Sequence, residues 1–495
     1  MRWSVLPKSH NIAAEMTNFN VDILIVGAGP TGLGAAWRLQ ELVEKEVISP
    51  ISWLLVDSSV ESGGAASSSK DKAGFTWDVG SHVIYSRYSY FDNFLHELMK
   101  DDVYLHQRKG WVWIEGKVIP FPIQQNLHLL PRQSALDCIK EGIEISMSKL
   151  PQPSSNLSEW LQRKYGVALS NKFFLPHSTK MWGCPPEMMS TSWVDYGSGS
   201  SFSNIPSIDF NGLAESMLDQ QPFEGWKKSP PFPYPKTGGA GEVWRRAISR
   251  VSSDHIKYER KLVSVKYLDQ IARFSDQSEI KYKWMISSIP LPAIGSICVP
   301  TVPELDALSH LKSTSVSLIG LGFYGPTPEF LRDKYWISIA DKNIPFFRLS
   351  VPSNYSPANT PHPHNSWSVL LEAGCSEYHS LDETSLVDLA LKVVNQLINK
   401  PDITPISIWQ SQARFGYPIP TLDRDDILEG AESILQSQKI LSRGRFGSWK
   451  YECGNQDSSF MQGVEAVDRA LFGTEELTYS RPDLIDKNII SRIIR

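Results

Sequence analysis

The chain has 495 residues, 41% of them hydrophobic and 21% charged, which is enough apolar material for a large globular core. Its 49 basic and 54 acidic residues leave a formal charge of −5, which excludes a general attraction to nucleic acid or to an anionic membrane surface. The five cysteines (Cys138, Cys184, Cys298, Cys375 and Cys453) are scattered and form no CxxC pair, and no apolar run approaches the roughly 18 residues of a membrane span. The expectation is a soluble cytoplasmic protein without a disulfide framework or a metal centre.

Residues 1–20 read as a flexible leader, within which Met16 is a second candidate start. The first strong signal is "VDILIVGAGPTGLGAAWRLQEL", residues 21–42. Ile23–Val26 is an apolar run of the kind that makes a strand buried on both faces. Gly27, Gly29 and Gly32 follow as GxGxxG, and a helical pattern with small residues Gly34, Ala35 and Ala36 opens at once. The first glycine makes the tight turn and the second lets the backbone approach a pyrophosphate. The third lets the helix lie close to the strand, with the helix N-terminus receiving the anion. A second apolar strand, "WLLVD" (53–57), ends in Asp57, placed to accept hydrogen bonds from ribose hydroxyls. The order strand, glycines, helix, strand, acid predicts dinucleotide binding.

The glycine pair in "SGGAAS" (62–67), then "GFTWDVGSHVIYS" (74–86), points to FAD in an extended pose rather than NAD. "LPQPSSN" (150–156) is a Pro/Ser linker and "GSGSSFSNIPS" (197–207) a flexible loop. The GGxG in "KTGGAGEVWRRA" (236–247) reads as a tight turn rather than a phosphate contact, and "ERKLVSVKY" (259–267) as a strand. "PHPHNS" (361–366) offers two histidines but no third metal ligand. Near the C-terminus, Asn455 and Gln456 have amides that suit a ribityl chain, with Ser458 and Ser459 as further donors. Phe460, Val464, Val467 and Leu471 then recur at helical spacing up to Gly473. A helix-capping loop with no ligand is the alternative for that stretch.

These segments together resemble the UDP-galactopyranose mutases, particularly the eukaryotic, fungal-type branch. The resemblance runs from about 21 to about 485 and rests on "VGAGPTGLGAA", "DVGSHVIYS", "HQR" (106–108), "IPFPIQQN" (119–126), "SNYSP" (353–357), "RFGYPIPTLDR" (414–424) and "SRGRFGSWKYECGNQDSSFMQGVEAVD" (442–468). It implies an α/β fold with three interleaved parts. These are a Rossmann-type FAD-binding domain (21–100, 230–300 and 440–480), a mainly helical domain (101–225) and a substrate domain with an antiparallel sheet (301–439). It also implies reduced-flavin covalent catalysis of a pyranose–furanose isomerisation with no net redox change, with NADPH supplying the first electrons.

By resemblance the FAD contacts are Gly27, Gly29, Pro30, Thr31, Gly32, Asp57, Ser58, Gly64, Ala65, Gly80, Ser81, His82, Val263, Gly447, Asn455, Gln456 and Ser459. His82, Arg445, Tyr417 and Tyr451 carry the catalytic roles. Arg108, Phe121, Gln124 and Trp182, with the two tyrosines, face NADPH or substrate. Two family arginines that hold a pyrophosphate fall near Gly197 and Phe330, neither a cation, with Lys180, Arg332 or Lys334 as candidate substitutes. A family tyrosine falls on Ser338, and His177 and Ser178 stand where the family has tyrosine and asparagine. The expected activity is therefore mutase-like on some small molecule. A flavin-dependent oxidoreductase acting on a non-nucleotide substrate and a non-catalytic FAD binder are the alternatives, and self-association is left open.

Overall fold

The computed structural model describes residues 19–147, 154–194, 209–224 and 230–485. Two sheets organise these residues. The first has eight strands, in the order Cys298–Val299, Leu262–Lys266, Ile271–Phe274, Glu279–Ser287, Phe19–Val26, Trp53–Val56, Ile256–Lys257, with Ile440–Ser442 also paired to Glu279–Ser287. Phe19–Val26 runs parallel to both of its neighbours, so its apolar run has to be covered on two faces. Ile23 and Ile25 pack with Leu39, Trp244 and Phe460, while Leu24 and Val26 pack with Leu54, Met285 and Ile440. Burial of each such side chain is worth about 1.5–3 kcal/mol, which fixes this strand at the centre of the sheet.

The helix that opens at Pro30 (Pro30–Glu44) crosses the C-terminal helix Gln456–Phe472 at close range. The approach depends on two glycines: a Cβ at Gly34 would collide with the Phe460 carbonyl, and one at Gly463 with the Thr31 carbonyl. Both helices open onto one cleft, one after Gly29 and the other after Asn455.

The second sheet has seven strands, ordered Ser407–Pro418, Ser313–Tyr324, Ser366–Cys375, Arg348–Ser350, Trp336–Ile339, Gly110–Ile114, Lys117–Pro120. Its ladders are antiparallel except for Trp336–Ile339 with Gly110–Ile114. The rings of Trp77 and Phe75 lie over Gly320 and Gly322, where side chains would leave no room, and this docks the strand Thr76–Asp78 onto the second sheet.

The helical part contains Arg132–Met147, Leu157–Tyr165 and Leu175–Trp182. Asn156 caps the second of these through its side chain to the Glu159 N–H at 3.0 Å. A five-residue π turn, Ser170–Phe174, leads into the third.

The α/β architecture agrees with the sequence expectation, but three segments differ from it. The leader gives way to strand at Phe19; its first 18 residues lie outside the described ones. The stretch 101–225, expected to be mainly helical, opens with three strands, two of which extend the second sheet. The helix Arg424–Ser437 packs Leu428, Ala431 and Leu435 into the core of the first sheet, where it meets the strand Ile440–Ser442 and the short helix Pro303–Asp306. No helix among the described residues is long and apolar enough to cross a membrane.

Candidate active site

A cleft of about 690 Å³ runs between the two sheets, from the glycine turn at the end of strand Phe19–Val26 to the inner face of the second sheet. At one end it is made largely of backbone. Gly27, Gly29, Pro30, Thr31, Asp57, Ser58, Gly64, Ala65, Asn455, Gln456 and Ser459 line it. Gly29 and Gly64 face each other here: a Cβ on Gly64 would lie 3.4 Å from the Gly29 Cα. The first turns of both helices line this part of the cleft, and their positive ends suit a phosphate-bearing ligand. Asp57 accepts from the N–H of Ala28 at 2.6 Å and of Ser59 at 2.7 Å, so it stiffens the turn while keeping lone pairs for a ribose. Gln456 accepts from Trp244 Nε1 at 2.8 Å, and its amide NH2 has no side-chain partner among the described residues.

Three expected cofactor residues do not line the cleft. Gly32 lies behind the turn, where a side chain would strike the Gly27 carbonyl, so its role is the close packing of helix on strand. Gly447 is buried against the Arg443 backbone for the same kind of reason. Val263 is 37% exposed at a break in strand pairing, separated from Phe19–Val26 by two strands.

In the middle of the cleft, Gly80, Ser81 and His82 form one wall. His82 Nε2 lies 2.8 Å from the Ala65 carbonyl. A carbonyl only accepts, so Nε2 carries the hydrogen and a neutral ring presents Nδ1 as an acceptor. Burial pushes the His82 pKa below the ordinary imidazole value; Asp78 opposes this and the Arg445 charge adds to it. Asp78 is itself fully buried and accepts from Ser68 Oγ, Tyr234 OH and the Ala240 N–H.

The far end is made of side chains. Arg445, Tyr417 and Tyr451 line it, with the guanidinium 5.7 and 5.8 Å from the two ring centroids and its Nε donating to the Gly454 carbonyl at 2.7 Å. Burial raises the pKa of Tyr417, against the pull of Arg348, and lifts Tyr451 to about 12, so both hydroxyls are protonated donors at neutral pH. Arg108 is held among the rings of Tyr85, Phe121 and Trp336 at 5.4–5.6 Å, with no acidic partner among the described residues. Its Nε and the Tyr85 hydroxyl are buried without a partner among the described residues. His177, Phe173, Phe174, Met181 and Phe347 form an apolar wall. Burial, with the nearby Lys180 and Arg348 charges, lowers the His177 pKa to about 3.

Trp182 and Gln124 were expected to face a ligand and do not line the cleft. Trp182 is wholly buried behind the tyrosines, 4.7 Å from Tyr451 and 5.6 Å from Tyr417. Gln124 is buried, with both amide atoms lacking a partner among the described residues. The candidate substitute cations are engaged elsewhere. Lys180 donates to the carbonyls of Asp341, Ile344 and Phe346, Arg332 to that of Thr327, and Lys334 pairs with Asp333. Phe330 lies outside the cleft wall, with the Lys334 ammonium over its ring. Gly197 lies outside the described residues.

The loss of cationic character expected at this end is nevertheless incomplete, because Arg348 lines the cleft. It is bound in a two-pronged pair to Glu372, at 2.6 and 2.7 Å. The sequence did offer a signal: Glu372 is a lone acid inside the apolar strand "SWSVLLEAGC", and a buried charge requires a partner.

The residues present fit FAD. Glycine turns open room for a pyrophosphate, two helix N-termini meet it, Asp57 suits a ribose, and Asn455, Gln456 and Ser459 offer polar groups along the path to His82.

Comparison with known proteins agrees with this geometry. Residues 30–471 match the flavin containing amine oxidoreductase family. Among solved structures, a reduced UDP-galactopyranose mutase is similar at 33% identity and a TM-score of 0.86, over 93% of this chain and 98% of that one. The cyclohexylamine oxidase of Brevibacterium oxydans IH-35A is similar at 15% identity, TM-score 0.62, over 91% and 98%. A putrescine oxidase bound to putrescine matches at 14%, TM-score 0.61, over 91% and 98%, which for both oxidases shows likeness of fold alone. With a glycine turn, helix pair and cleft suited to FAD, and with a family match that spans both sheets, the chain belongs to the flavin-containing amine oxidoreductases.

Proposed function

We propose that this protein uses reduced FAD to isomerise the ring of a sugar substrate bearing an anionic substituent, a mutase-type reaction, with NADPH as reductant. The observation that carries the reading is the convergence of Arg348, Arg445, Tyr417 and Tyr451 on one end of the cleft, beside His82. Bound FAD, when reduced, would supply the nucleophilic chemistry. The chain supplies the rest. Tyr417 and Tyr451 donate hydroxyl hydrogens to the anionic substituent, and Arg348 adds charge. His82 offers an acceptor from a fixed neutral tautomer. Arg108 and Phe121 hold the reductant, and Trp182 supports the wall from behind. The 33% identity to a UDP-galactopyranose mutase over nearly the whole of both chains supports this reading over an oxidase.

One observation favours a second reading, an oxidoreductase acting on a non-nucleotide substrate. Glu372 neutralises Arg348, and the adjoining wall of Phe173, Phe174, Met181 and Phe347 is apolar, which disfavours a diphosphate. Incubating the dithionite-reduced protein with UDP-galactofuranose under anaerobic conditions tests the proposal. Appearance of the pyranose by chromatography, without net flavin oxidation, is the expected result. No pyranose, together with oxidation of another substrate coupled to flavin reduction, would replace it with the second reading.

A further inference from the structure

Arg348 and Glu372 are direct partners across the antiparallel ladder between Arg348–Ser350 and Ser366–Cys375, and both line the cleft. The Glu372 side chain is 2% exposed and the Arg348 side chain 25%. Apart from Asp57 at the dinucleotide end, Glu372 is the one carboxylate on the cleft wall among the described residues. It does more than face Arg348. The Ser81 N–H donates to its Oε1 at 3.3 Å, and Gly80, at φ 90°, brings the backbone so close that a Cβ there would lie 3.3 Å from Oε2. The next residue is His82. One carboxylate thus joins the turn that carries the central histidine to the guanidinium at the far end. It takes up two of that guanidinium's nitrogens and leaves the remaining N–H donors beside Tyr417.

We infer that Glu372 is a positioning and specificity-determining residue, which fixes the direction of Arg348, weakens its pull on anions and ties it to the Gly80–His82 turn. This rests on the reading above that Arg348 meets the anionic substituent of the substrate. Two consequences of opposite sign follow. Neutralising Glu372 frees charge, so an anion binds more tightly. It also unties Arg348 from the turn, so the bound substrate is held less well for reaction. A side chain that merely stabilised the fold would give losses in both.

The experiment compares Glu372→Gln with Arg348→Met and wild type, all reduced, using UDP as the probe in calorimetric titration and UDP-galactofuranose for turnover. Flavin content and melting temperature serve as folding controls. E372Q is expected to bind UDP about tenfold more tightly, with a steeper salt dependence, while kcat falls. Unchanged or weaker UDP binding in an E372Q protein that keeps its flavin overturns the inference. If E372Q loses flavin, Glu372→Asp is read instead. Its shorter arm withdraws from Arg348, and an approximately two- to threefold tightening is expected; no tightening overturns the inference. R348M separates the two claims. Weaker UDP binding in R348M with no gain in E372Q removes the role of Glu372 alone, whereas unchanged binding in R348M removes the reading of Arg348 on which it rests.

Discussion

The two ends of the cleft are built by different means. The dinucleotide end is made of backbone: glycine turns, two helix N-termini and N–H groups that hold Asp57. The far end is made of side chains that meet across a sheet, Arg348 on Glu372, Arg445 against Tyr417 and Tyr451, and Arg108 among three rings. A backbone site tolerates few residue types and so keeps a fixed ligand. A side-chain site can be rewritten one residue at a time, and His177 and Ser338 are two positions on its wall where this could happen. One end of the cleft is thus set by chain geometry, and the other by the identity of individual side chains.

The largest effect should come from breaking the backbone end. Gly463→Leu drives a side chain into the Thr31 backbone and should cost roughly 4 kcal/mol or more, seen as loss of soluble folded protein. Gly29→Val is the informative contrast. No protein atom lies within 3.9 Å of a Cβ at Gly29, so this variant should fold, melt cooperatively and be colourless. A yellow G29V protein would show that the cofactor does not pass this turn.

Lys180→Met tests how the side-chain end is held. Lys180 ties three carbonyls of the segment 341–346, which leads directly into Phe347 and Arg348. Leaving them unpaired should cost about 2–4 kcal/mol in urea unfolding, with flavin content unchanged. Loss of flavin in step with stability would show that the two ends are not separable.

Arg108→Ala should leave flavin content intact and slow anaerobic reduction by NADPH roughly 10- to 100-fold, equivalent to about 1.4–2.7 kcal/mol. Stopped-flow at the flavin absorbance band measures this, and a wild-type rate would remove Arg108 from the reductant site. The smallest effect is in pH. His177 stays neutral in the folded protein down to about pH 3, whereas the unfolded chain takes up a proton near the ordinary imidazole value. Unfolding therefore binds a proton, so this contribution is complete above pH ~6.5 and declines as pH falls, by at most ~1.4 kcal/mol per unit. His177→Gln should flatten the slope of stability between pH ~6.5 and ~5 by less than that amount.

The division between backbone and side chains also explains what was legible in the sequence. The central strand, the glycine turn, Asp57 and the Asn455–Ser459 segment announce themselves locally, because turn chemistry and periodicity act over a few residues. Val263 and Gly447 fell outside the cleft because a short motif gives no information on which face of an element meets a ligand. Trp182 lies one layer too deep, behind the tyrosines, and Gln124 is buried away from the cleft wall, since aromatic and amide residues suit a pocket wall and an interior equally. Arg348 and Glu372 are 24 residues apart and meet only through strand pairing, so neither alone marks a site. The segment 424–437 carries a helical stripe, but which sheet it covers is decided by tertiary packing.

The crossing of Pro30–Glu44 with Gln456–Phe472 has a consequence for biosynthesis. One half of the phosphate-receiving platform ends at Glu44 and the other opens at Gln456, so all the chain between them is made before the platform can be completed. A nascent chain therefore holds an incomplete platform until Gln456–Phe472 has been made, and flavin capture has to wait for that helix. Yellow colour in a preparation is then a record of chains that contain Gln456–Phe472, and chains stopped before residue 456 would be expected to leave the ribosome without cofactor.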